Sequence, residues 1–412
     1  MKLKSRIVMI LLLTGMLLLT LIGGITRKKD DSEPQPQTDP VVVIDDGVMP
    51  DSFKGAVEDP YNVPAEVMDV IVSYLDGYYR SLYTLEKQDL SSLFENEYIA
   101  AVSEKAIDLQ IETRKLYDFD FTLKKAHYDL KVTRYEKDGD TYQVDILEDD
   151  YMNFAFLNGI ESQTFDVENY FVIKDTSDGY RISDLEKIQG YYMTFYDETD
   201  TVEEVSFEYD YYMEQLKGMI GYNTEVLKQK AEKDPYISNV TYTKAYNREA
   251  AVAYADQYYH QRNRDWYNFS DEGGNCQNYA SQCMLAGGMD MDYTGDWQWK
   301  CYVTDPDYEP EINEEDEKSG RSRSWVHVTS FYDYAKENEG KGLACDVNAN
   351  LYYAQPGDII LVGNGGLSHT VIVSKVVDGH ILVDSNSIDM KDYPVEAYTY
   401  TNITLIKILG SN

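Results

Sequence analysis

Positive charge is in short supply in this 412-residue chain, where 37 Lys and Arg stand against 73 Asp and Glu for a net charge of −36. Six Lys/Arg and two Asp fall within residues 1–31, so the remainder stands at −40. Such a surface repels phosphates and anionic headgroups, which excludes nucleic acid as a partner of the folded part. Histidine is scarce, with five residues, and cysteine scarcer, with four. No His, Cys or carboxylate spacing of the zinc type occurs, so neither a metal nor another cofactor is expected. Internal repeats are absent, which argues against solenoids and propellers. The chain also lacks long hydrophobic runs, apart from one.

That run is residues 7–25, uncharged and rich in Leu, flanked by Lys2, Lys4 and Arg6 and by Arg27, Lys28 and Lys29. Nineteen residues suffice to cross a bilayer as a helix. The run lacks the short apolar stretch and small-residue cleavage site of a secretion signal, so an uncleaved signal-anchor is preferred to a cleaved one. The expected placement is a single-pass protein of the cell membrane with its large part outside, or a secreted protein if the segment is removed. Residues 1–29 are then the anchor or signal segment, and the acidic, Pro-bearing residues 30–60 a flexible stalk.

What is plentiful is periodicity. Residues 64–116 carry apolar side chains at helical spacing, with Val67, Val70, Ile71, Tyr74 and Leu75 on one stripe. After Asp118 the pattern alternates, with turn signals at Asp138-Gly139 and Asp178-Gly179. Helices followed by a meandering antiparallel sheet predict an α+β domain over 61–205, similar to the cone-shaped NTF2-like or cystatin-like domains. A helical connector over 206–242 leads to a second α+β domain over 243–412.

The second domain is organised around Gly273-Gly274-Asn275-Cys276-Gln277. Asn275 reads as an N-cap and Gly287 as a C′ residue, which predicts a helix over 276–286 with Cys276 on its first turn. Free amide groups and the helix dipole at such an end are expected to lower a thiol's pKa. The plainer reading is a small buried thiol. Cys276 and Cys283 on one helix lie about 10 Å apart along its axis, too far for a disulfide. The pairing to test is therefore Cys301 with Cys345.

A nucleophilic cysteine needs a base, and the base a partner that orients it. His127 lies in an alternating strand, His260 at the polar end of a helix, His327 at a helix entry and His380 in a tight turn. His369 differs, because it opens the apolar strand Thr370-Val371-Ile372-Val373 directly after the Gly365-Gly366 loop. If Asp378-Gly379 form a type I′ turn, Val377 pairs with His380, Val373 with Asp384 and Val371 with Asn386. Asn386 and Asp384 would then project on the side of His369, with Asn386 its diagonal neighbour. The expected constellation is Cys276, His369 and Asn386.

The segments Tyr246-Asn247-Arg248-Glu249-Ala250-Ala251, Asn275-Cys276-Gln277-Asn278-Tyr279-Ala280-Ser281-Gln282-Cys283, Pro356-Gly357-Asp358-Ile359-Ile360 and Ser368-His369-Thr370 closely resemble the amidase-like domains of Gram-positive bacteria. These look like distant relatives of the papain-like hydrolases that include the NlpC/P60 and CHAP cell-wall enzymes. The resemblance covers about residues 243–410 and implies a Cys-bearing helix packed on an antiparallel sheet that carries the His. It makes Cys276 the nucleophile and His369 the base. Asn386 stands where that family more often has a His, and Asn275 where it usually has an Asp. Tyr267 is similar to the Tyr that supports the oxyanion site in NlpC/P60 enzymes, and Asn275 and Gln277 are further candidates for oxyanion or substrate-positioning roles. The implied function is a cysteine amidase or peptidase acting on an amide or peptide bond, peptidoglycan included. Acyl transfer to an amine and a catalytically inactive binding or scaffold module are the alternatives.

Overall fold

The computed structural model describes residues 49–295, 297–338 and 340–412. Its N-terminal half begins with strand β1 (Lys54–Glu58), helix α1 (Ala65–Thr84) and helix α2 (Glu97–Arg114), followed by strands β2 (Leu123–Asp138), β3 (Thr141–Phe154), β4 (Ser162–Thr176) and β5 (Gly179–Lys187). Helix α1 buries Val67, Ile71, Tyr74, Leu75, Tyr78 and Leu82, the stripe that a 3.6-residue period places on one face. Strand β3 alternates half-buried and buried residues along its whole length, as a strand with one face on the core must. Helices α3 (Tyr191–Glu198), α4 (Val202–Tyr222) and α5 (Gln229–Lys233) follow. A capping box between Thr201 and Glu204 starts α4.

The C-terminal half contains β6 (Lys244–Ala245), α6 (Arg248–Tyr258), α7 (Cys276–Ala286), α8 (Val328–Glu337), β7 (Leu343–Ala349), β8 (Ile359–Gly363), β9 (His369–Val377), β10 (His380–Ser385), β11 (Asp389–Pro394) and β12 (Asn402–Ser411). Strands β8 and β10 are buried on both faces. Ile359, Leu361, Ile372, Ile406 and Ile408 pack with Cys276, Cys283, Trp325 and Phe331 of the helical layer. Their alternates Ile360, Val362, Val371, Val373 and Leu405 join the core of the N-terminal half.

The residues that carry the family resemblance do much of the holding. Buried Asp358 accepts hydrogen bonds from Arg248 (2.7 Å), the Ile408 amide (2.9 Å), the Gln355 amide (2.8 Å) and Lys407 (3.3 Å), tying α6 to β8 and β12. Tyr246 donates to the Gly357 carbonyl at 3.0 Å, and its ring lies where a Cβ on Gly287 would stand, 2.2 Å away. Any side chain at 287 would therefore push α7 off this contact.

Three expectations need correction. The two halves are not separate α+β sheets: one mixed sheet of twelve strands runs through both, in the order β1-β2-β3-β4-β11-β10-β9-β8-β12-β6, with β5 on β4 and β7 on β12. The join is β11, whose Asp389, Met390 and Lys391 pair with Phe165, Thr164 and Gln163 of β4, so each half satisfies the other's edge. The single-pass membrane placement is corrected too, since among the described residues no helix is long and apolar enough to cross a membrane. The longest, α1 and α4, have 20 and 21 residues but carry charges on their outer faces. Residues 7–25, which carried that expectation, lie outside the described residues. Within the segment read as a flexible stalk, residues 54–58 form β1, paired in parallel with β2, and Phe53 is buried.

The β9–β10 hairpin turns at Asp378-Gly379 as expected, with φ of 51° and 86° and Val377 opposite His380. Past Lys375 it departs, because the register shifts so that Val373 faces Val383 and Ile372 faces Asp384. The extra residue is Ser374, whose hydroxyl donates to Asp392 of β11 at 3.0 Å. One residue of slip moves Asp384 and Asn386 to the opposite face from His369.

Candidate functional site

Cys276 occupies the first turn of α7, as its spacing predicts, and is 8% exposed. The first turn of α7 is fixed by a buried polar network in which each side chain has a partner. Gln277 accepts from the Thr370 hydroxyl at 2.8 Å and donates to Ser281 at 3.2 Å. Asn278 donates to the Tyr267 carbonyl (3.0 Å) and accepts from the Trp325 indole (2.9 Å). A fully satisfied network of this kind holds one geometry rigidly.

Two opposed effects act on the thiol. Burial pushes its pKa up and is the larger, while the backbone N–H groups of Thr370, Gln277 and Cys276 itself are aimed at the sulfur and pull it down. The expectation that the helix end lowers this pKa is therefore overturned by desolvation, although the amide donors are in place.

His369 is the first residue of β9, one before Thr370, and its parity puts it with Val371 and Val373 on the face toward the N-terminal half. There it lines a cavity of about 320 Å³ together with Tyr191, Asn364, Ile388, Tyr398 and Tyr400. Burial alone lowers its pKa to about 4, so the imidazole is neutral at ordinary pH. Tyr400 of the same lining has its pKa pushed up to about 12, first by burial and then by the charge of Cys276. Among the described residues the Cys276 thiol and the His369 ring form no hydrogen bond with each other.

Among the described residues Asn386 makes no hydrogen bond to His369. Its Oδ1 accepts from Asn275 Nδ2 at 2.6 Å, and its Nδ2 donates to the carbonyls of Tyr258 (2.8 Å) and Tyr259 (3.1 Å). Asn275 makes no side-chain cap on α7; its Oδ1 instead accepts from the Phe269 amide (3.1 Å) and Asn278 (2.8 Å). The two positions at which the sequence departs from the resembled family are thus bonded to each other. Tyr267 is turned to the surface, where its hydroxyl donates to Glu272 at 3.4 Å. Cys301 and Cys345 are both free thiols, so the disulfide considered from the sequence is not formed.

Elsewhere, Asp166, His260 and Asp389 bring ligand atoms within 4.8 Å of one another. Arg262 already donates to Asp389 at 2.8 Å, and contact with Asp389 raises the His260 pKa, so the group reads as an ion-pair cluster. Sequence reasoning missed Thr370, Tyr400 and the turn at Ser387 and Ile388. Those two residues have φ of 109° and 45°, a conformation a β-branched side chain resists. Ser387 accepts the Asn275 amide, so the strained turn is tied to the start of α7. No periodicity or composition signal announces such a turn.

Residues 245–409 match the family model described as "Putative amidase domain". An uncharacterized protein of Bacillus subtilis, YhbB, is 31% identical over 153 residues, which cover 35% of this chain and 43% of that protein. The chain thus spans less than half the length of this relative. No solved structure matches, and the papain-like relation is carried by the sequence resemblance alone. Residues 245–409 of the chain belong to the putative amidase domain family.

Proposed function

We propose that the chain is a cysteine-dependent amidase in which Cys276 attacks an amide carbonyl. The observation that carries this reading is the placement of Cys276 at the start of α7, which the Gln277–Thr370 hydrogen bond of 2.8 Å ties to β9 one residue from His369. Burial keeps the resting thiol protonated and the imidazole neutral, so the pair starts uncharged. The reaction requires the His369 ring to swing round the start of β9 from the cavity to the thiol on substrate binding, where it takes the thiol proton as sulfur bonds to the carbonyl carbon and returns a proton to the leaving amine. The backbone N–H groups beside the sulfur hold the oxyanion meanwhile. Water then hydrolyses the thioester with His369 as base. Asn386 acts through Asn275 by fixing the start of α7.

The test is hydrolysis by the full chain of a panel running from primary carboxamides to peptide bonds of cell-wall type, compared with Cys276→Ala and His369→Ala. Turnover in the parent chain and its loss in both variants is the expected result. Turnover that survives Cys276→Ala would sink the reading. That the Cys276 thiol and the His369 ring form no hydrogen bond with each other among the described residues favours one second reading, a catalytically silent binding module on the same fold. It predicts substrate-like ligands that bind but are never cleaved.

A further inference from the structure

The cavity beside His369 is built by both halves of the molecule. Gln110 of α2, Gln189, and Tyr191 and Thr194 of α3 form one wall, and the loop before β9, the strained turn at Ile388 and residues 397–400 form the other. In a chain with a net charge of −36, its lining contains no Asp, Glu, Lys or Arg, and His369 is neutral there. Its volume of about 320 Å³ lies at the low end of the range for small-molecule sites.

Asn364 supplies direction. Its Oδ1 accepts from the Tyr191 hydroxyl (2.9 Å) and the Thr401 amide (3.0 Å), which fixes how the side-chain amide is turned. Among the described residues nothing accepts from its Nδ2, which leaves that group as a donor for a ligand carbonyl. Gln110 and Gln189, both in contact with Tyr78, add further carboxamides to the opposite wall. A site with amide donors and acceptors and no countercharge pairs with another amide, and imposes the full desolvation cost on a carboxylate or ammonium group.

We propose that this cavity is the acyl-side pocket of the amidase site, that it selects an uncharged, carboxamide-bearing acyl group, and that the N-terminal half supplies the selecting wall. The proposal rests on the Cys276 reading above. It makes the N-terminal half part of the substrate site.

The test measures binding, which proceeds without turnover. The full chain carrying Cys276→Ala is titrated by calorimetry with N-acetylglutamine methylamide and N-acetylglutamate methylamide, which differ in one side-chain charge. The carboxamide should bind more tightly by about 10–100-fold, the span that one imperfectly paired buried charge commands. Thr194→Lys and, on a separate segment, Gln189→Lys should each cut that preference at least tenfold while leaving the melting temperature near that of the parent. Equal binding of the two ligands, no binding of either, or a preference unmoved by both Lys variants would overturn the proposal. Selective binding together with hydrolysis that survives loss of Cys276 would retire the cysteine mechanism and leave the pocket standing. Hydrolysis that depends on Cys276 with equal binding would do the reverse.

Discussion

Exchanging the amide pair Asn275–Asn386 for the Asp and His that the resembled family places there tests whether the two departures compensate each other. Asn275→Asp alone sets a carboxylate oxygen against Asn386 Oδ1, acceptor facing acceptor, where a 2.6 Å bond stood. Asn386 escapes only by flipping, which turns its carbonyl toward those of Tyr258 and Tyr259. Asn275 is 4% exposed, so the lost bond and the poorly solvated charge together cost about 2–4 kcal/mol. Asn386→His alone adds volume at a buried position and costs about 1–3 kcal/mol. In the double variant an imidazole N–H can donate to the carboxylate, so the pair should recover at least about 1 kcal/mol relative to additivity. Urea unfolding at neutral pH of the parent, both singles and the double closes the cycle. Additivity within about 0.5 kcal/mol would refute the claim that these residues act as a bonded pair.

Three further outcomes follow from the same geometry. Asp358→Ala leaves Arg248, Lys407 and two backbone amides without their shared acceptor and should cost about 3–5 kcal/mol in denaturant unfolding; Asp358→Asn, which keeps an acceptor, should cost less and retain kcat. Gly363→Ala would put a Cβ 1.9 Å from the Gly366 carbonyl, displacing the loop that ends at His369; a loss of about 1–3 kcal/mol and a fall in turnover larger than that loss explains are expected. His369, lowered from 6.5 to about 4 by burial, binds its proton less readily folded than unfolded. Stability should therefore decline as pH falls through that window, by up to about 1.4 kcal/mol per unit, and His369→Gln should flatten the decline in thermal melts from pH 7 to 4.

Local signals in the sequence proved legible where neighbours in the chain decide the structure. Asn275 and the Gly287-Gly288 pair bound α7, although it is Gly288, with φ of 89°, that takes the left-handed conformation, while Gly287 is required by the Tyr246 ring. Asp378-Gly379 fixed the hairpin turn for the same reason. The bulge at Ser374 was illegible, because its cause is Asp392, on a strand that hairpin reasoning does not include. That one residue decided which face Asn386 takes. The sign of the Cys276 shift was illegible as well, since a helix end can be read from sequence but the burial that outweighs it cannot. The merging of both halves into one sheet rests on the pairing of β11 with β4, a contact between residues more than 200 apart with no turn signal to announce it.

The proposed role of Cys276 as the acylated nucleophile is tested most directly by trapping the intermediate. The full chain is mixed with an activated ester of N-acetylglutamine, quenched in acid, digested and mapped by mass spectrometry. A thioester-linked acyl group on Cys276, absent from Cys283, Cys301 and Cys345 and no longer formed in His369→Ala, is the predicted result. Steady turnover of amide substrate with no adduct on Cys276, or acylation spread equally over the four thiols, would contradict it.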